Sequence, residues 1–208
     1  MGIELLDEER LLEAVEILAD RDPDLASVVR RHGPPPLWAR PPGFPTLIRI
    51  ILEQQVSLSS AKAAYDRLVT RTGEPTPETF LELSDGELRG IGFSRQKARY
   101  VRLLAGSLLS GSLDLGELEG LGDDEARGRL MELKGIGRWS ADIYLLMALR
   151  RPDVWPRSDL ALINAVARIK GLVAPPSPEE FDAIGEAWRP WRSAAARIAW
   201  FEYLGGKP

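Results

Sequence analysis

An all-α fold is what this sequence predicts, and three observations predict it. Apolar residues recur at helical spacing through most of the chain, and helix-starting and helix-stopping residues punctuate it. No alternating β-branched run bounded by turn residues, the mark of a strand, is present. With 208 residues, 44% of them hydrophobic, the chain can bury roughly 70% of its unfolded surface without a disulfide or structural metal. One large domain or two small lobes would both satisfy that length.

Each element follows from local chemistry. From Glu8 to Ala19, apolar Leu11, Leu12, Val15 and Leu18 lie on one helical face. Asp22-Pro23 opens a second helix that ends by Gly33. Six prolines between Pro34 and Pro45 exclude regular structure there. Thr46 to Glu53 reads as a strongly apolar helix, Gln54 to Leu58 as a break, and Ser59 to Thr72 as a helix stopped by Gly73. Ser84 with Glu87, and Ser177-Pro178 with Glu180, are capping boxes that start short helices. Leu160 to Lys170 forms a further helix behind Ser158-Asp159.

Composition excludes several chemistries. The absence of cysteine removes disulfides, thiol nucleophiles and iron–sulfur clusters, and a single histidine, His32, removes multi-histidine metal sites. His32 itself reads as a solvated helix end. No apolar run reaches the ~18 residues of a membrane span, and the acidic start Met1 to Arg10 lacks the basic residues of an export signal, so a cytoplasmic protein is expected. The formal charge of −4 is unevenly spread: residues 1–40 and 111–130 each carry −4, whereas 41–110 and 131–208 each carry +2. A positive face on an acidic protein is therefore open.

The two basic segments share an internal repeat. Glu87-Leu88-Arg89-Gly90-Ile91-Gly92 and Glu132-Leu133-Lys134-Gly135-Ile136-Gly137 both read Glu-Leu-basic-Gly-Ile-Gly, with Ser94 or Ser140 following. Each should be a helix, tight turn and helix, the glycines permitting φ > 0 and the isoleucine pinning the turn inward. The turn's N–H groups and those opening the next helix would then form an anion nest suited to a DNA phosphate. Such a turn can equally be a plain link between packed helices. Lys134 and Arg138 flank the second copy and are the better candidates for phosphate contact. Arg95, Lys97, Arg99 and Arg102, after the first, read as a solvated helix face.

Leu133 to Ala141, an apolar helix, and then Trp155-Pro156-Arg157-Ser158-Asp159-Leu160 resemble the helix-hairpin-helix, Gly/Pro-rich loop and aspartate of the HhH-GPD DNA glycosylase superfamily. The bacterial 3-methyladenine DNA glycosylase II (AlkA-type) branch is the most similar. Phe44-Pro45 through Leu52-Glu53-Gln54-Gln55-Val56-Ser57, the first hairpin region, and Trp188 to Ser193 through Trp200 extend the likeness from about Phe44 to Tyr203. Larger bacterial members carry an N-terminal β-rich domain for which no strand pattern exists here, so the compact form is expected. The resemblance implies two helical lobes around a cleft: residues 1–45 pack with the C-terminal helices, 46–158 form a central lobe, and 159–208 complete the other.

It also implies residue roles. Alone, Asp159 reads as an N-cap whose charged form is favoured by helix-end N–H groups. Behind the hairpin and the Pro-rich approach Arg151 to Pro156, it becomes the catalytic carboxylate that stabilises positive charge developing on deoxyribose. Bifunctional relatives carry a Schiff-base lysine where this chain has Trp139, which implies a monofunctional enzyme that leaves an abasic site. A base alkylated at a ring nitrogen is cationic and attracts indole faces, so Trp139, Trp200 and Tyr144 are assigned to the base pocket. Tyr144 stands one position beyond the family's tyrosine, which is Ile143 here. Trp188 and Trp191 read as core. Base flipping needs a wedge; the family register places it at Gln55, with Gln54 beside it, although a polar loop explains both equally. Lys134, Gly135, Gly137, Arg138 and Ser140 are assigned to the DNA backbone.

The expected function is therefore base-excision hydrolysis of 3-methyladenine-like bases flipped from double-stranded DNA, by a monomer with no membrane partner. No metal or cofactor is expected beyond a monovalent cation at the hairpin when DNA is bound. Removal of deaminated or mismatched bases, non-catalytic DNA binding by a double hairpin, and a purely structural helical role are the alternatives.

Overall fold

The computed structural model describes residues 5–207, so the first four residues of the acidic start lie outside the described residues. Among the described residues are twelve α-helices, a 3-10 turn at Glu117–Glu119 and no strand, in agreement with the all-α expectation. In chain order they are α1 (Glu8–Arg21), α2 (Pro23–His32), α3 (Phe44–Glu53), α4 (Leu58–Thr72), α5 (Pro77–Leu81) and α6 (Asp85–Ile91). There follow α7 (Arg95–Leu109), α8 (Asp123–Met131), α9 (Arg138–Met147), α10 (Leu160–Ile169), α11 (Pro178–Glu186) and α12 (Arg192–Tyr203). No described helix is long and apolar enough to cross a membrane.

Caps set most boundaries. The side chains of Asp22, Ser57, Ser84, Ser94 and Ser177 each accept a first-turn N–H of the following helix, and the boxes at Ser84/Glu87 and Ser177/Glu180 form in both directions. α3 begins two residues earlier than expected because Pro45, with its fixed φ, sits in the first turn. α5 has no counterpart among the expected helices: its box pairs Thr76 with Thr79, a threonine in the place usually held by Glu or Gln.

The chain forms two compact units, Arg40–Tyr144 and the flanking segments Met1–Ala39 with Leu145–Pro208. In the central unit, the apolar face of α3 packs on α4 and α7, and α5 and α6 close over α7. Phe44, Phe80 and Phe93 form a chain of edge-to-face rings with centroids 6.2 and 5.5 Å apart.

In the terminal unit α12 is the axis, lying against α1, α2 and α10. Its alanines allow close approach, and every residue from Ser193 to Phe201 is buried. Arg197 is fully buried within it and donates to three carbonyls: Leu37 at 2.7 Å, Ser193 at 3.0 Å and Leu146 at 2.9 Å. Burial pushes its guanidinium down to about 9. Trp188, read as core, is indeed buried, and its indole N–H donates to Asp22 at 2.7 Å. Lys170, closing α10, reaches the same Asp22 oxygen at 2.6 Å. His32 does end a helix, but it is half-buried rather than fully solvated: its Nε2 lies 2.8 Å from Glu202, and its ring meets Phe201 edge-on.

Burial raises the Asp22 carboxyl, yet hydrogen bonds from Lys170 and Trp188 and the lysine's charge outweigh that and hold it below the ordinary 3.8. A carboxyl depressed on folding contributes stability that is fully present above its unfolded value and is lost as pH falls through the lower folded value. Lys170→Met should therefore lower urea stability by about 1–3 kcal/mol at neutral pH. The gap from the parent should narrow as pH falls below 3.8. A pH-independent gap would show that the Asp22 charge is not what Lys170 stabilises.

Candidate active-site residues and nucleic-acid interface

Asp159 caps α10 in the terminal unit. Its Oδ1 accepts the Leu162 N–H at 2.7 Å and the Trp200 indole N–H at 3.3 Å. The residue is 9% exposed, as is Trp200. The loop leading to it is fastened from several sides. Arg192 grips both oxygens of Asp153 at 2.8 and 2.9 Å, and the Ser193 hydroxyl accepts the Val154 N–H at 3.0 Å. Trp155 stacks on Phe181 with centroids 4.6 Å apart, and a Cβ at Gly185 would lie 2.7 Å from its indole nitrogen. The cap and its indole partner therefore sit on rigid supports rather than on a mobile loop.

The second Gly-Ile-Gly segment in the central unit is the turn between α8 and α9. Gly135 adopts φ +102, and a Cβ there would lie 2.2 Å from the Tyr100 ring, so both conformation and space require glycine. Gly137 has no positive φ, and a Cβ there would meet nothing within 4 Å, so only an approaching external group would demand its small size. α9 starts at Arg138 directly behind it with no acidic residue in its first turn. The opening N–H groups of a helix have no carbonyl within it and serve as anion ligands. Lys134 and Arg138 are exposed beside this start. The arms of the hairpin are pinned by a buried ion pair, Arg127 Nε donating to Asp142 at 2.6 Å. Burial alone would lower the Arg127 pKa, but Asp142 and Asp124 override it and raise it. Asp142 also lies 3.7 Å from Arg138.

The repeat does not fold twice in the same way. In the first copy α6 runs through Gly90 to Ile91 and the left-handed residue is Gly92, whereas in the second α8 ends at Met131 and the left-handed residue is Gly135. The second turn thus has six residues between helices and the first only three. Of the basic residues after the first copy, Lys97 donates to Leu52 O at 2.8 Å and Arg102 to Leu83 O at 2.7 Å and to Asp85, so two of the four hold the fold together.

Three assigned residues are placed otherwise than expected. Tyr144 is completely buried, its hydroxyl accepts the Gly43 N–H at 2.9 Å, and burial pushes its phenol up to about 12; it offers no surface to a base. Ser140 is buried on the inner face of α9 and accepts from Gln54 at 2.9 Å, so its hydroxyl does not face a phosphate. Gln54 is turned inward by the same bond, away from any wedge position. Gln55 is exposed and holds φ +55, uncommon for a residue with a side chain. Trp139 is half-buried at the second position of α9. Sequence reasoning missed the Arg127–Asp142 clamp, although the i,i+4 spacing of Arg138 and Asp142 was a readable signal. Among the described residues no group of three His, Cys, Asp or Glu is placed to hold a metal ion.

Geometry of this kind defines a helix-hairpin-helix protein. The chain belongs to the HhH-GPD superfamily of base excision DNA repair proteins, which its residues 48–190 match. Bacillus subtilis YfjP is 30% identical over 184 residues, 85% of this chain and 64% of that protein's own length. Schizosaccharomyces pombe DNA-3-methyladenine glycosylase 1 is 30% identical over 180 residues, 85% of this chain and 79% of that one. The solved structure of the S. pombe 3-methyladenine DNA glycosylase Mag1 in complex with abasic DNA superposes with a TM-score of 0.83 at 28% identity, covering 91% of this chain and 95% of that one.

The two hairpin glycines should separate in a stability measurement. Gly135→Ala should lower unfolding free energy by at least about 2 kcal/mol through strain and overlap with Tyr100. Gly137→Ala should stay within about 1 kcal/mol of the parent. Equal losses in chemical denaturation would contradict the assignment of Gly135 as the constrained residue.

Proposed function

We propose that this chain is a monofunctional DNA glycosylase that removes alkylated, cationic bases of the 3-methyladenine kind from duplex DNA and leaves an abasic site. The observation that carries the reading is Asp159: a buried carboxyl fixed by the Leu162 N–H and Trp200 indole N–H at a helix start. In the reaction the glycosidic electron pair leaves with the base, which departs neutral, and deoxyribose becomes an oxocarbenium ion. A fixed carboxylate stabilises that cation and accepts the proton of the water that adds to it. Since an alkylated base already carries positive charge, no general acid is required. Trp200, held against Asp159, presents an indole to such a cation.

Trp139 has no amine, so the Schiff base that would permit strand cleavage cannot form at that position. The hairpin supplies the phosphate grip through the start of α9, Lys134 and Arg138. A monovalent cation there would add positive charge beside the phosphate. The carbonyls of Leu133 and Gly135, each already accepting one N–H, keep a lone pair for it. The names of the relatives support the alkylated-base substrate, and the abasic-DNA complex of the Mag1 structure supports DNA binding.

Asp159→Asn keeps an N-cap acceptor and a partner for the indole, so fold and DNA affinity should persist while excision from methylated duplex falls about 10²-fold or more. Excision near the parental rate would refute the role. In a separate titration, Lys134→Gln should reduce the slope of log affinity against log salt by about 1, equally for damaged and undamaged duplex. An unchanged slope would remove Lys134 from the phosphate contacts.

A further inference from the structure

Base extrusion needs the wedge and the phosphate grip to act in register, and the central unit contains a link between them. α3 ends at Glu53, and at its C-cap Gln54 the backbone turns extended at φ −60 and ψ 121. Its side chain folds back onto the hairpin, with Nε2 donating to Gly135 O at 2.8 Å and to Ser140 Oγ at 2.9 Å. A carbonyl can only accept, so the amide orientation is fixed by its partners. Both of its protons are thereby committed, one to the turn and one to the first turn of α9. The next residue is Gln55, left-handed and exposed.

The residues just before are tethered as well. Lys97 donates to Leu52 O at 2.8 Å, and Arg40 holds both oxygens of Glu53 at 3.0 and 2.8 Å. Three consecutive residues ahead of the exposed Gln55 are thus tied down, and only Gln54 is tied to the hairpin. A left-handed residue with a side chain persists where its surroundings over-determine it. We propose that Gln54 is a positioning residue: through its two hydrogen bonds, the hairpin that grips a DNA phosphate sets the direction in which Gln55 is presented to the base stack. The inference rests on Gln55 being the inserting residue.

The test uses Gln54→Met, which keeps length but has no donor, with Gln55→Ala and the double variant. Unstacking is read from 2-aminopurine placed beside an abasic analogue at saturating protein, excision from single-turnover release of methylated bases, and grip from affinity for undamaged duplex. Gln54→Met should reduce unstacking and excision about tenfold and leave undamaged-duplex affinity within about twofold, and the double variant should be no worse than Gln55→Ala. Multiplying losses in the double variant, or unstacking at the parental level in Gln54→Met, would overturn the proposal. So would loss of undamaged-duplex affinity equal to the loss of excision. If Gln54→Met does not fold, Ser140→Ala removes one of the two anchors and should give a smaller loss that again vanishes in the Gln55→Ala background. Parental protein that unstacks 2-aminopurine but releases no methylated base would sink the enzymatic reading while leaving this coupling measurable.

Discussion

In the proposed reaction a carboxyl that meets a developing cation has to be kept in place and largely out of water, and the terminal unit holds Asp159 in that way. Asp159 cannot sit buried without partners, because an unpaired buried carboxylate is costly. The start of α10 and the Trp200 indole supply them. Trp200 in turn belongs to the most deeply buried helix of the unit, and Arg197, one turn earlier, ties that helix to the Leu37 and Leu146 carbonyls. The approach loop is fastened through Asp153, Val154 and Trp155. In the proposed reaction such rigidity serves electrostatics: dipoles already aimed need no reorganisation when charge appears.

Under the proposed function the central unit has a different demand, which is to hold a polyanion without reading its sequence. A glycine hairpin followed at once by a helix start presents backbone donors that suit any phosphate. The cost of that exposed turn is met from within by Tyr100 against Gly135, the Arg127–Asp142 pair between the arms, and the Gln54 amide. Gly137 is the informative exception, since its smallness answers to nothing inside the protein.

Local chemistry was the legible part of the sequence. Serine and aspartate caps and the stopping glycines at 33 and 73 place helices to within a residue or two, because their interactions span three or four positions. The hairpin and Asp159 were legible as a motif, but the equivalence of the two repeats was not real: helix α6 simply continues through Gly90, and nothing in six matching letters encodes where a helix stops. Gln54 and Ser140 could not be read correctly, since they meet across 86 positions. Tyr144 likewise answers to Gly43, a contact set by the packing of α9 rather than by its own neighbours. Long-range polar pairs of this kind carry no periodic signal.

The central claim concerns which bond is broken and in which base. Duplex DNA treated with a methylating agent, incubated with the protein and analysed by mass spectrometry of the soluble fraction, addresses it directly. The account predicts free N-alkylated purines, with the strands intact until alkali cleaves them at abasic sites. Release of uracil or other uncharged bases alone, or no release from DNA that the protein binds, would contradict it.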